Sequence, residues 1–90
     1  MAKIFSIFMH TKLINCPERW EHYKEIEDAP LLLMESEHKA PGELFFNFSG
    51  LRSTIIQNFG TEQYSLDEPM YINIKTKNNY YRFEVLNQWQ

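Results

Sequence analysis

Residues 70–85 read MYINIKTKNNYYRFEV, and this stretch decides the fold class. Met70, Ile72 and Ile74 alternate with Tyr71, Asn73 and Lys75. Tyr81, Phe83 and Val85 alternate with Tyr80, Arg82 and Glu84. A period of two is the signature of a strand with one face buried and the other wet. Lys77-Asn78-Asn79 separates the two runs, and asparagine tolerates the left-handed conformations of tight turns. The stretch therefore predicts an antiparallel hairpin whose Ile72, Ile74, Phe83 and Val85 share one core.

Outward from this hairpin the pattern is less regular. Lys3 to Thr11 predicts a strand, with Phe5, Ile7 and Met9 on one side and Ile4 and Phe8 on the other. Both sides are apolar, which places it inside a sheet rather than at its edge. Asn15-Cys16-Pro17-Glu18 reads as a helix start: asparagine caps, proline fits the first turn, and Glu18 faces the positive end. Pro30 stops such a helix near Asp28. Leu31 to Glu37 fits a second short helix or a strand. Lys39 to Gly42 reads as a turn and Glu43 to Phe48 as a strand. Leu51 to Phe59 reads as a further strand, hairpinned through Ser49-Gly50, with a helix as the alternative. The predicted fold class is α+β: a small antiparallel sheet of about five strands with one or two helices on one face, a single domain over residues 1–90.

Composition narrows the function classes. The chain has 90 residues, 43% of them hydrophobic and 16% aromatic, a composition that folds. Net charge is −3, and no basic stripe of the kind that tracks a nucleic-acid backbone is present. From Glu18 to Glu43 eight acids face three bases, a net of −5, whereas from Leu44 onward four acids balance four bases. Cys16 is the one cysteine, so no internal disulfide forms, in keeping with a cytoplasmic location. The longest apolar run, Leu31 to Met34, is far too short for a membrane-spanning helix, and Met1 to Lys12 lacks the features of a signal peptide. Asn47-Phe48-Ser49 matches a glycosylation sequon but needs a secreted context to matter.

Catalytic chemistry finds little footing. His10, His22 and His38 are too dispersed for a helical zinc pair, and no paired cysteines accompany them. Cys16 at a helix start is a conceivable nucleophile with a histidine base, against its plainer role as a small apolar filler. Glu35, Ser36, Glu37 and His38 form the one compact polar cluster. No phosphate loop, dinucleotide fingerprint or nucleophile elbow is present. The expectation is a non-enzyme with no catalytic residue, no metal and no cofactor.

The acidic stretch instead suggests a protein partner with a basic surface. On an α-helix Glu18, Glu21, Glu25 and Asp28 share one face, with Trp20 and Tyr23 beside them as aromatic anchors or as core packing. Those six residues are the predicted partner-binding set. No residues carry the signature of a particular family. The general make-up is similar to that of small inhibitors: immunity proteins that neutralise bacterial toxins, and phage proteins that block a host enzyme. The expected function is thus an inhibitor of the immunity type, occluding a basic toxin nuclease. A dimerising accessory subunit that uses a sheet edge, and a nucleic-acid or nucleotide binder stacking bases on Tyr71 and Tyr80, are the alternatives.

Overall fold

The computed structural model describes residues 3–36 and 42–86. It contains strands β1 (Lys3–Asn15), β2 (Ala29–Glu35), β3 (Leu44–Phe48), β4 (Leu51–Arg52), β5 (Ile56–Glu62), β6 (Met70–Thr76) and β7 (Tyr80–Val85), and a 3-10 helix at Glu18–Glu25. The strands form one seven-stranded sheet in the order β4-β3-β2-β1-β7-β6-β5, with every pairing antiparallel. This overturns the five-strand α+β expectation: the protein is mostly β, with one short helix among the described residues.

The order shows why a covering helix is unnecessary. Each strand neighbours its successor in the chain, β7 returns to β1, and only β4 and β5 are left unpaired with each other. Laid flat, the two edges of seven strands would lie roughly 29 Å apart at about 4.8 Å per strand. Yet only residues 53–55 join Arg52 to Ile56, a reach of at most about 14 Å. The sheet must therefore roll up, and its inner face becomes its own cover. The result is an up-and-down barrel left open along one seam.

The core confirms the closure. Leu13, Leu31, Leu33, Phe46, Phe48, Ile72, Ile74 and Phe83 are fully buried and form one cluster with Leu51 and Tyr81. Phe46 of β3 meets Tyr81 and Phe83 of β7 edge-to-face at 4.9 and 5.4 Å, and Phe48 meets Phe83 at 5.2 Å. In a flat sheet these strands, three places apart, would not touch. The terminal hairpin forms as the alternation implies, with Val85 partly buried against the same cluster.

One local reading left open between helix and strand is decided, and two expectations are corrected. The chain over Leu31 to Met34 is a strand, β2, and it is apolar on both faces. The run Leu51 to Phe59 is broken into β4 and β5 because it crosses the seam: Ser53 still pairs with Phe46, its N–H donating to the Phe46 carbonyl at 3.0 Å. Asn15 belongs to β1 rather than to a helix cap, and the helix follows Pro17. It winds as a 3-10 helix because Trp20, Tyr23 and Ile26 recur every three residues. Only three residues per turn set all three in line, and all three are partly buried against the barrel core. The helix thereby closes one end of the barrel. The β3–β4 turn is tight, with Ser49 and Gly50 at φ 50° and 95°, the two positive values a two-residue hairpin loop of type I′ requires.

Candidate functional site

The six residues singled out from the sequence converge on the helical end of the barrel but not on one face. With three residues per turn, Glu18 and Glu21 line up with Lys24, while Glu25 lines up with Arg19 and His22. Trp20 and Tyr23 turn inward, half-buried, their rings 6.1 Å apart edge-to-face. Tyr23 also lies 4.4 Å from the His22 ring, and the Arg19 guanidinium sits 5.4 Å from the Trp20 ring. Asp28 lies beyond the helix, where its carboxylate meets His10 Nδ1 at 3.1 Å. The helix is tied to β1 by Lys12, whose Nζ donates to the Lys24 carbonyl at 2.7 Å. Glu18, Glu21, Glu25 and Glu27 are exposed, and none has an ion-pair partner among the described residues.

Cys16 is partly buried beside this end, and burial pushes its thiol up, partly countered by Lys24. No hydrogen bond joins Cys16 to a histidine among the described residues. Glu37 and His38 of the polar cluster, most of the Lys39 to Gly42 turn, and Trp89 lie outside the described residues. No group of three metal-ligating side chains occurs among the described residues. No helix there is long and apolar enough to cross a membrane.

A polar network on the outer face of β5, β6 and β7 escaped the sequence. Glu62 Oε1 accepts from Asn73 Nδ2 at 2.9 Å and Arg82 Nη1 at 3.0 Å, and Glu62 Oε2 accepts from the Tyr64 hydroxyl at 2.8 Å. Asn73 Oδ1 accepts from Arg82 Nη1 at 2.8 Å and from the Tyr80 hydroxyl at 3.0 Å. The Arg82 guanidinium lies 4.2 Å from the Tyr71 ring centroid. Hydrogen bonds from Asn73, Tyr64 and Arg82 pull the Glu62 carboxyl down to about 2. Beside the network, Gly60 floors a shallow recess of about 220 Å³ edged by Asn58, Lys75 and Tyr80. The alternation of β6 and β7 already turned Asn73 and Arg82 outward. Glu62 gave no signal, because it lies beyond the run read as a strand.

A larger recess of about 560 Å³ opens at the seam, lined by Phe45, Arg52, Ser53, Thr54, Gln57 and Lys77 among others. Arg52 lies flat over Phe45, 4.3 Å from its centroid. Ser53 is spent on structure: its Oγ accepts from the Phe46 N–H at 2.8 Å and donates to the Thr54 carbonyl at 2.7 Å. Arg52 and Lys77 stand beside Glu43 in this recess, and no hydrogen bond pairs a nucleophile there with a base among the described residues.

The chain matches no protein-family model, no curated protein and no solved structure.

Proposed function

We propose that this chain is a protein-binding inhibitor that acts by covering a basic surface on its partner. Its most concrete form is an immunity protein that occludes a toxin nuclease. The observation that supports this is the set of four exposed carboxylates, Glu18, Glu21, Glu25 and Glu27, without ion-pair partners among the described residues. Glu18, Glu21 and Glu25 stand on a helix held to the barrel by Trp20, Tyr23 and the Lys12 bond to Lys24, and Glu27 follows just beyond its end. Charges on a fastened element lose little freedom on docking, so more of their attraction appears as binding. Their field also steers a basic partner and sets its orientation. Trp20 and Tyr23 contribute by holding the helix, and their half-exposed edges add apolar contact. Inhibition here is steric and requires no catalytic group.

The test is affinity capture from the native host with wild type and with the Glu21→Lys/Glu25→Lys double variant, followed by stopped-flow association with the captured basic protein. The double reversal should slow association at least about tenfold, and the wild-type rate should fall as salt rises. An association rate indifferent to both changes would remove the acidic end from the interface.

A further inference from the structure

Gly60 stands in the middle of β5 without a positive φ, a bulge or a packed neighbour to require it. The positive φ values among the described residues belong to Gly42, Ser49 and Gly50. Nothing lies within 4 Å of the Cβ that another residue would place at position 60. The register shift of the β5–β6 ladder falls between Ile56 and Asn58, and pairing from Asn58 to Glu62 is regular. Glycine weakens a strand interior, and where the strand itself does not call for it, it marks close approach of another group to the backbone. Asn58 and Glu62 flank Gly60 on the outer face of β5, and Asn73 stands opposite it on β6. The recess of about 220 Å³ over Gly60 is walled by Asn58, Asn73, Lys75 and Tyr80. The Tyr80 ring is 50% exposed, and its hydroxyl donates to Asn73 Oδ1 at 3.0 Å, which fixes that wall in place.

We propose that this recess binds one neutral sugar ring. Size limits the ligand: the recess is smaller than the roughly 300 to 1,000 Å³ of pockets that enclose drug-sized molecules, so it takes a single ring. Hydrogen-bonding capacity selects a polyol. Among the described residues the Asn58 amide has no partner, and Asn73 keeps one N–H after donating the other to Glu62. The Tyr80 hydroxyl, its proton given to Asn73, can still accept, and Lys75 Nζ is held only loosely, 3.5 Å from the Thr76 carbonyl. Donors and acceptors therefore stand side by side, and hydroxyl groups, each both donor and acceptor, satisfy both. The C–H face of the ring meets the Tyr80 ring and the bare backbone of Gly60. Charge disfavours a phosphate-bearing ligand. The outward rows of β5 to β7 set Lys75 and Arg82 against Glu62 and Glu84, leaving no net charge to attract an anion. One ring on a shallow, open site binds in the millimolar range, so the natural ligand is a longer glycan or a dense array of them. The site lies apart from the acidic helical end and does not rest on the inhibitor reading.

The test is amide NMR of the full chain, titrated to about 50 mM with the methyl glycosides of glucose, galactose, mannose and N-acetylglucosamine, and separately with uridine monophosphate. At least one glycoside should shift the amides of residues 58–62 and 73–80, including the Asn58 and Asn73 side chains, with a dissociation constant below about 10 mM. Gly60→Val, which fills the recess, should weaken that binding at least about tenfold while leaving the melting temperature unchanged or higher. Tyr80→Ala should weaken it similarly, and Tyr80→Phe, which keeps the ring, should weaken it less. Glu21→Lys/Glu25→Lys, on a different surface, should bind the glycoside as wild type does, even where it loses the inhibited partner. Silence of these amides toward all four glycosides overturns the proposal. So does binding indifferent to Gly60→Val, or a response to uridine monophosphate alone. A Gly60→Ala variant that melts several degrees lower also overturns it, because the glycine then serves the backbone of β5.

Discussion

Phe83→Ala tests whether the barrel is closed by its own inner face. Phe83 is fully buried and meets Phe46 and Phe48 across the barrel at 5.4 and 5.2 Å. β7 is hydrogen-bonded on both sides, Phe83 standing opposite Leu13 of β1 and Ile72 of β6. The wall around it cannot collapse inward without breaking two ladders. Burying about 200 Å² of aromatic surface at about 25 cal/mol per Å² contributes up to about 5 kcal/mol. Truncation to alanine keeps part of that but leaves a cavity, and such changes cost about 3 to 5 kcal/mol. A chain of this length has about 5 to 13 kcal/mol in total. Phe83→Ala should thus remove between a quarter and nearly all of it. Phe83→Leu, which keeps most of the volume and loses the edge-to-face pairs, should cost about 1 to 2 kcal/mol. Urea denaturation followed by tryptophan fluorescence measures both, provided the slope is unchanged. If Phe83→Ala costs less than about 1 kcal/mol, Phe83 does not bridge the two walls and the rolled sheet is wrong. If the alanine variant does not fold, the leucine variant carries the same test.

Three further outcomes follow from the geometry. Glu62 has its carboxyl depressed from 4.5 to about 2, so its charged form stabilises the fold above pH 4.5, and that contribution is lost as pH falls toward 2. Carbon-detected NMR should place its midpoint near 2, and Glu62→Gln should flatten the melting temperature over that window; a midpoint near 4.5 contradicts the network. The Cys16 thiol is raised by burial, so at neutral pH iodoacetamide should alkylate it more slowly than free cysteine, and Cys16→Ser should leave partner binding intact. Faster alkylation, or complete loss of binding in a folded Cys16→Ser protein, would restore the nucleophile. Gly50 holds φ at 95°, so Gly50→Ala should cost about 1 to 2 kcal/mol in the same urea assay although its Cβ would meet only the Tyr23 hydroxyl, at an ordinary contact distance of 4.0 Å; no change there would mean the turn has another conformation.

Where the pattern was one-sided, the sequence was readable. β6 and β7 alternate cleanly, and their inward set of Ile72, Ile74 and Phe83 is what the alternation names. Where both faces are apolar, the period vanishes. Leu31 to Met34 could not be told from a helix turn because Leu31 and Leu33 fill the barrel while Leu32 and Met34 alternate to its outer side. Thr54 and Ile55 favour an extended backbone, but propensity carries no information about pairing, so the break at the seam left no trace. The helix was legible as a helix; its winding was set by the barrel end that Trp20, Tyr23 and Ile26 had to reach. For the candidate site, the acidic character of residues 18–28 was plain, and their division among three helical faces was not. Nor was the Glu62 network, whose bonds join residues 11 and 20 positions apart.

By itself the sequence determined that residues 70–85 form a hairpin, that the composition is one that folds, and that residues 18–43 are acidic. Each of these is local: a period, a composition, a count. The tertiary structure alone decided that the sheet closes on itself, that β1 joins the two halves by pairing with both β2 and β7, and that one outer face stays apolar. Hydrophobic patterning says which side of a strand avoids water but not what it is buried against. That choice is made by contacts between residues far apart in the chain, such as Phe46 with Phe83.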